Sequence, residues 1–191
     1  MSDRLERVIA GIDAANSADP ALETDAGEMR PAALLYGLRM SEELARLCPD
    51  ASEELQIAAR GQHIERWTSP RSSYPEGRAG YLAWRSDLGR FHADRVAGLM
   101  RDAGYGQDSC QRVGRMLRKE GIKRDPETQM LEDVICFVFM RWYLPDFSST
   151  QTPEALERIV AKTARKMSAE ARVKAAREFS IPEPFGAYFA A

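Results

Sequence analysis

The amino-acid sequence predicts an all-α protein, folded as a single compact bundle of about eight helices. Three observations predict this fold. Apolar residues recur at helical spacing along most of the chain, residues that start and stop helices punctuate it, and no segment alternates as a strand does. Because 191 residues can enclose one core, we predict one domain over 1–191. Within it, 1–30 form a peripheral helix plus a connection, and 180–191 form an irregular tail.

The first half of the chain is predicted to hold four helices. Few apolar residues occur over 21–30, which we interpret as an exposed connection. Pro31 suits a first helical turn, and Asp50 with Glu53 three residues later indicates a capped helix start. The predicted helices span 3–15, 31–47, the stretch from Asp50 to about Trp67, and 78–103, with a loop of turn-forming residues over 69–77.

The second half is predicted to hold four more helices. Asp125 and Pro126 supply an N-cap and a first helical residue. The helix that follows them is apolar nearly all round between 134 and 140, which is typical of a helix in the centre of a bundle. The other three helices are predicted over 108–121, from Pro153 onward, and after the capping residue Ser168.

Charge is distributed unevenly along this chain. The net charge is −2, and the isoelectric point is about 5.8. Residues 1–59 carry a net −7, whereas 60–101 carry 8 arginines against 4 acidic residues, a net +4. A basic segment in an acidic protein indicates an anionic small-molecule ligand. The same acidity argues against broad nucleic-acid binding.

The sequence also predicts the cellular compartment of the protein. The longest apolar run, 134–140, is too short to cross a bilayer, and the N-terminus lacks the apolar core of a signal peptide. Cys48, Cys110 and Cys136 are odd in number and form no CxxC motif, so we expect reduced thiols rather than a disulfide framework. We therefore predict a cytoplasmic protein with no membrane association. The oligomeric state is left open.

Two histidines, His63 and His92, are the first candidates for a functional site because they are the only imidazoles in the chain. In the helix predicted over 78–103, Tyr81, Arg85 and His92 fall on one face. Helices rarely bury arginine and histidine unless these side chains are paired. This face therefore indicates a polar site rather than ordinary core.

A pair of carboxylates, Glu132 and Asp133, lies at the entry of the most hydrophobic helix. A shielded carboxylate requires a metal, an arginine or a hydrogen-bond donor. Two imidazoles and a carboxylate from three helices predict a divalent-metal site for Mn, Fe, Zn or Ni, with His63, His92 and Asp133 as ligands. Glu132 would be a further ligand or the general base. The metal would lower the pKa of a bound water to generate a nucleophile.

Three arginines complete the candidate site. Arg66, Arg71 and Arg85 would hold phosphate oxygens with their planar donor forks, and Tyr81 would also contact the substrate. The same residues admit a second interpretation. If Arg66 or Arg85 paired with Asp133, a buried ion-pair network would account for the pattern without catalysis.

Several short strings resemble one known protein family. Through these strings, the chain resembles the bacterial and fungal family catalogued as domain of unknown function 4202, over about Leu5 to Ala175. The family name implies no reaction. The strings are Ile-Asp-Ala-Ala-Asn (12–16), Gln-His-Ile-Glu-Arg-Trp (62–67), Pro-Arg (70–71), Tyr-Pro (74–75), Gly-Tyr-Leu-Ala-Trp-Arg (80–85), Phe-His-Ala (91–93), Leu-Glu-Asp-Val (131–134) and Lys-Thr-Ala-Arg-Lys-Met-Ser (162–168).

A second resemblance is to the HD superfamily of helical metal-dependent phosphohydrolases, and it implies an HD-like bundle. In this comparison His63 resembles the histidine of the His-Asp doublet, His92 an additional ligand and Asp133 the final aspartate. Ile64 stands where the doublet has aspartate, and Tyr36 or a neighbour stands where the first histidine is expected. An unmodified HD site is therefore excluded. Either the ligands have been redistributed, with recruitment of Glu43, Glu65 or Glu132, or the metal has been lost.

Three functional hypotheses follow. The first is a divergent HD-like, metal-dependent hydrolase of a phosphate-bearing small molecule such as a nucleotide. The second is a non-catalytic ligand-sensing or scaffolding domain with a buried His/Asp/Arg network. The third, recognition of transfer RNA through the arginine-rich helix, is disfavoured by the acidity of the chain.

Overall fold

A computed structural model of the chain describes residues 2–148, 150–179, 181 and 185–190. The described residues are mostly α-helical, as predicted. Contacts within the chain divide it into two compact units, residues 1–121 and 122–191, and the single domain over 1–191 stays a prediction. Among the described residues, no helix is both long enough and apolar enough to cross a membrane.

The first unit is built from five α-helices and one β-hairpin within its described residues. Two of its helices begin with a serine cap. Ser2 accepts a hydrogen bond from the backbone N–H of Leu5, and Ser52 accepts one from Leu55. The helices are α1 (Asp3–Asn16), α2 (Ala32–Leu47), α3 (Glu53–Gly61), α4 (Gly77–Asp102) and α5 (Gln107–Leu117).

The hairpin occupies the segment predicted to be an exposed connection. Most of its residues are exposed, but they form two paired strands that the sequence analysis did not predict. Its strands, β1 (Leu22–Asp25) and β2 (Glu28–Pro31), pair antiparallel. Ala26 and Gly27 between them both have positive φ, 48° and 85°, which is the geometry of a tight two-residue hairpin turn. Strands of four residues are too short to show a readable alternation of polar and apolar side chains.

Helix α3 ends at Gly61 rather than near Trp67, and His63 consequently lies in a turn rather than in a helix. Glu65 adopts the left-handed conformation (φ 49°), which an α-helix cannot continue. Its backbone N–H donates to the buried Asn16 side chain of α1 at 3.0 Å, and its carboxylate pairs with an arginine of α4. Contacts to neighbouring helices thus override the local helical pattern.

An ion pair between a buried arginine and a partly exposed aspartate anchors the end of α3, immediately before the turn that carries His63. Arg60, 7% exposed, donates to both carboxylate oxygens of Asp13 on α1, at 2.6 and 2.7 Å. It also donates to the Ser41 hydroxyl on α2 at 3.2 Å. Three helices therefore converge on one guanidinium.

The loop before α4 is held by Arg71. Its guanidinium donates to the backbone carbonyls of Tyr74 at 2.9 Å and Pro75 at 2.8 Å. The Pro75 carbonyl then lies so close to Gly80 that a Cβ there would approach it to 1.9 Å. Only glycine fits at this position, and the loop is thereby fixed against the first turns of α4.

The second unit is also helical. Asp125 caps α6 and Ser168 caps α9, as predicted, whereas the short α7 was not predicted. Five residues, Phe139–Tyr143, form a π-helical segment between α6 and α7. The helices are α6 (Pro126–Val138), α7 (Leu144–Ser148), α8 (Pro153–Lys166) and α9 (Ala169–Glu178).

The predicted irregular tail over 180–191 falls partly outside the described residues, which omit 180, 182–184 and 191. In the part that is described, Phe185–Phe189 form a short 3₁₀ helix, and the Phe185 and Phe189 rings are buried.

Candidate functional site

A basic pocket of about 590 Å³ lies in the first unit. Its walls are the turn after α3, the middle of α4 and the C-terminal end of α5. Among the described residues, the pocket is lined by six cationic or imidazole side chains, by the carboxylate of Glu120 and by the amide of Gln62. The six are Arg66, Arg85, Arg90, His92, Arg118 and Lys119.

Arg66 is fixed in the pocket wall by two neutral rings. Its guanidinium lies over the indole of Trp84, 4.8 Å from the ring centroid, and its Nη1 lies 3.1 Å from Nε2 of His63. Trp84 is itself held, because its indole N–H donates to the Ser69 carbonyl at 2.9 Å. Burial, together with the neighbouring Arg85, lowers the pKa of Arg66. The Arg66 charge thus stands close to another positive charge.

His63 is a neutral hydrogen-bond acceptor in this arrangement. Arginine has only donors, so His63 Nε2 must accept from Arg66 and the ring proton must be on Nδ1. The ring stacks on Tyr36 with centroids 4.0 Å apart. Burial and the positive charge of Arg66 hold the pKa of His63 well below its usual value. The ring is therefore uncharged at neutral pH.

His92 is the most enclosed titratable group of the pocket. It is 4% exposed, and its ring centroid lies 6.2 Å from that of His63. Burial, followed by the charges of Arg66 and Arg85, lowers the pKa of His92 to about 3. Its Nε2 is buried and has no hydrogen-bond partner among the described residues. A buried polar atom without a partner is uncommon and indicates a place where a ligand or water is bound.

Arg85 adds a further positive charge to the pocket lining. It lies on α4 two helical turns before His92, so both side chains share one face. Two arginines at the rim are neutralised, since Arg90 pairs with Asp87 and Arg118 pairs with Glu120. Among residues 2–121, no carboxylate pairs with Arg85.

The remaining predicted substrate-binding residues lie outside the pocket lining. Arg71 is engaged with the loop carbonyls described above. Tyr81 is 38% exposed on α4, and its ring lies 5.9 Å from that of Trp84. The structure thus brings Arg66, Arg85, His63 and His92 together, and it gives Arg71 a structural role.

Glu132 and Asp133 belong to the second unit, where both are buried and hydrogen-bonded or paired. Glu132 pairs with Lys166 Nζ at 3.1 Å. Asp133 Oδ1 accepts from the backbone N–H of Ser168 at 2.8 Å and from Gln129 Nε2 at 3.0 Å. Burial raises the pKa of Asp133 despite these donors. The carboxylate thereby fixes the start of α9 against α6.

The family model of the domain of unknown function DUF4202 matches this chain over residues 6–187. This match covers nearly the whole chain. The protein belongs to the DUF4202 family. Neither the curated proteins nor the solved structures gave a match.

The arrangement in this DUF4202 protein does not fit a metal ion at His63, because a guanidinium already lies against the ring nitrogen that would bind it. Within the described part of the chain, no three His, Cys, Asp or Glu side chains form a group that could hold a metal. The metal ligands predicted from the sequence stay a prediction, as does the role of Glu132 as base.

Sequence reasoning on this DUF4202 chain missed Gln62, Arg90, Arg118 and Lys119 as lining residues. Gln62 stands within a string that was already singled out, and its Oε1 accepts from the Tyr36 hydroxyl at 3.2 Å. Arg118 and Lys119 could not have been found, because α5 ends just before them at Leu117 rather than at Gly121 as predicted. Their position depends on where α5 ends and packs against α4.

Proposed function

We propose that the first unit binds a phosphate-bearing small molecule, such as a nucleotide, in the basic pocket. The observation that carries the proposal is the pair of neighbouring guanidiniums, Arg66 and Arg85, that line the pocket with His92, whose buried Nε2 has no hydrogen-bond partner among the described residues. Two like charges placed together repel each other in a partly buried site. A bound dianion would relieve this repulsion and accept the available donors.

The pocket also suits such a ligand in size. Its volume of about 590 Å³ lies within the roughly 300–1,000 Å³ that small-molecule sites occupy. Positive charge on an otherwise acidic chain would concentrate anions at this point. These features support a ligand-binding domain, which both the hydrolase and the sensing hypotheses require.

Hydrolysis of the bound molecule is the second candidate. It is favoured by the buried Nε2 of His92, which has no hydrogen-bond partner among the described residues and can bind an attacking water beside the phosphate. The metal-dependent HD-like route stays a prediction, and elemental analysis of protein purified without chelator tests it. Release of phosphate from a panel of nucleotides, with and without added Mn²⁺, tests catalysis itself.

Binding is tested first by titration calorimetry with inorganic phosphate and with adenosine monophosphate at low salt. Arg85→Gln should weaken binding about ten-fold or more, because a charge-assisted hydrogen bond contributes roughly 1.5–3 kcal/mol. The matched control is Arg78→Gln. Arg78 lies on the first turn of the same helix, is exposed and does not line the pocket.

Arg78→Gln should leave affinity within about two-fold of the wild type, since it removes one exposed charge outside the pocket. Equal losses in the two variants would mean that overall charge, not the pocket, attracts the anion. No binding of either phosphate compound to the wild type would refute the proposal.

A further inference from the structure

The C-terminal end of α5 places a lysine where the backbone favours glycine. Lys119 has φ 60°. Its backbone N–H donates to the Met116 carbonyl and that of Glu120 donates to the Arg115 carbonyl, each at 2.9 Å. These two hydrogen bonds define a Schellman motif, whose left-handed residue is usually glycine. A lysine in this conformation is strained, because its Cβ crowds the backbone.

The same chain shows the unstrained version of this motif. Helix α4 ends with the identical pair of hydrogen bonds, from Gly104 to the Arg101 carbonyl and from Tyr105 to the Met100 carbonyl. There the left-handed residue is Gly104, with φ 90°. Ending α5 therefore does not itself require a side chain at position 119.

The side chain at position 119 lines the basic pocket. Its ammonium group is near enough to His63 to contribute, after burial and Arg66, to the lowered pKa of that imidazole. Lys119 comes from the end of α5, whereas Arg66 and Arg85 come from the α3–α4 turn and from α4. The pocket thus receives positive charge from separate walls, and its volume exceeds what one phosphate group fills.

We propose that Lys119 is a specificity residue that binds a second phosphate group, so that the ligand of this pocket is a diphosphate-bearing molecule such as a nucleoside diphosphate. The inference rests on the proposed function. Arg66 and Arg85 hold one phosphate, and the strained lysine supplies the charge for the next. Backbone strain at a binding site is retained where the side chain it positions is needed.

The experiment compares inorganic phosphate with pyrophosphate by titration calorimetry, using wild-type protein, Lys119→Gly and Lys123→Gly. Lys123 is the matched control, because it is also a left-handed lysine, with φ 68°, but is exposed and does not line the pocket. Wild-type protein should bind pyrophosphate more tightly than phosphate. Lys119→Gly should lose about ten-fold or more for pyrophosphate and at most about three-fold for phosphate.

Both glycine variants should unfold at a temperature about 2–4 °C higher than wild type, because each relieves backbone strain. This readout shows that the fold is intact. If Lys119→Gly is stabilised yet binds pyrophosphate as wild type does, Lys119 is merely a helix-ending residue and the inference is overturned. If wild-type protein binds phosphate and pyrophosphate equally, the inference also fails while the proposed function stands. If neither anion binds, the proposed function itself is refuted, and the inference with it.

Discussion

The first unit buries two histidines in their neutral form, so we expect acid to destabilise this unit. His92 has a pKa of about 3 when folded, against about 6.5 in an unfolded chain. The unfolded state therefore binds more protons between these values, and stability falls as pH falls below about 6.5. The His63 pKa is lowered as well, so its contribution has the same sign.

The magnitude follows from the His92 values. At pH 5.0 the unfolded histidine is almost fully protonated and the folded one is not. His92 alone should then lower the free energy of unfolding at pH 5.0 by about 2 kcal/mol relative to pH 7.5, at roughly 1.4 kcal/mol per pH unit below 6.5, and His63 should add to this loss. His92→Gln cannot take up this proton. The fall between pH 7.5 and 5.0 should be smaller in that variant by the same amount, and nearly absent in the His63→Gln, His92→Gln double variant.

The assay is urea unfolding followed by tryptophan fluorescence in a Trp142→Phe background. The tryptophans that remain, Trp67 and Trp84, both belong to the first unit, so the signal reports on that unit alone. Saturating phosphate should reduce the loss at pH 5.0, because an anion beside His92 favours its protonated form. A wild-type protein equally stable at both pH values, within about 0.5 kcal/mol, would refute the reasoning. So would a His92→Gln variant that keeps the whole loss.

Three further perturbations test the packing. Asp13→Asn should lower the free energy of unfolding in urea by about 3–5 kcal/mol, because it leaves the buried Arg60 guanidinium without its counter-charge. The exposed control Asp3→Asn should lower it by well under 1 kcal/mol. A small loss at Asp13 would mean that water reaches the ion pair. Gly80→Ala should destabilise by about 3 kcal/mol or more, because its Cβ meets a carbonyl at 1.9 Å. The helical control Gly98→Ala would place its Cβ in ordinary contact with the end of the Arg101 side chain, at 3.9 Å, and should stabilise by roughly 0.5–1 kcal/mol. Equal melting temperatures of the two variants would contradict this. Asp133→Asn keeps an acceptor oxygen and should lower the free energy of unfolding by about 1 kcal/mol or less. Asp133→Leu leaves buried donors unpaired and should lower it by about 1–3 kcal/mol. If Asp133→Asn protein instead lost a metal that the wild type holds, a ligand role for Asp133 would be supported.

The parts of the fold that were predicted correctly have strong local signals. The starts of α6 and α9 follow from the capping residues Asp125 and Ser168, which bond the first turn of their own helix. The end of α3 could not be predicted, because Glu65 is held left-handed by Asn16, a residue distant in sequence. The hairpin was missed because its strands are only four residues long.

In the candidate site, too, only the features with a local sequence signal could be predicted. Arg85 and His92 were placed on one face by helical spacing alone, and the structure keeps them there. Arg71 was assigned to phosphate from its residue type, but its donors are used by carbonyls of its own loop. Lys119 lies in the pocket only because α5 stops at Leu117. Residue type and periodicity cannot predict such tertiary placements.

The π-helical segment Phe139–Tyr143 has a consequence for sequence comparison. The backbone N–H of Leu144 donates to the Phe139 carbonyl, five residues back, so this turn contains one residue more than an α turn does. Deleting one residue there would restore α winding and leave the following side chains at nearly the same angle relative to those of α6, because the π turn absorbs one extra residue. A relative that is one residue shorter between positions 138 and 144 should therefore carry a continuous helix. Its alignment gap would mark a change of winding, not the loss of a loop.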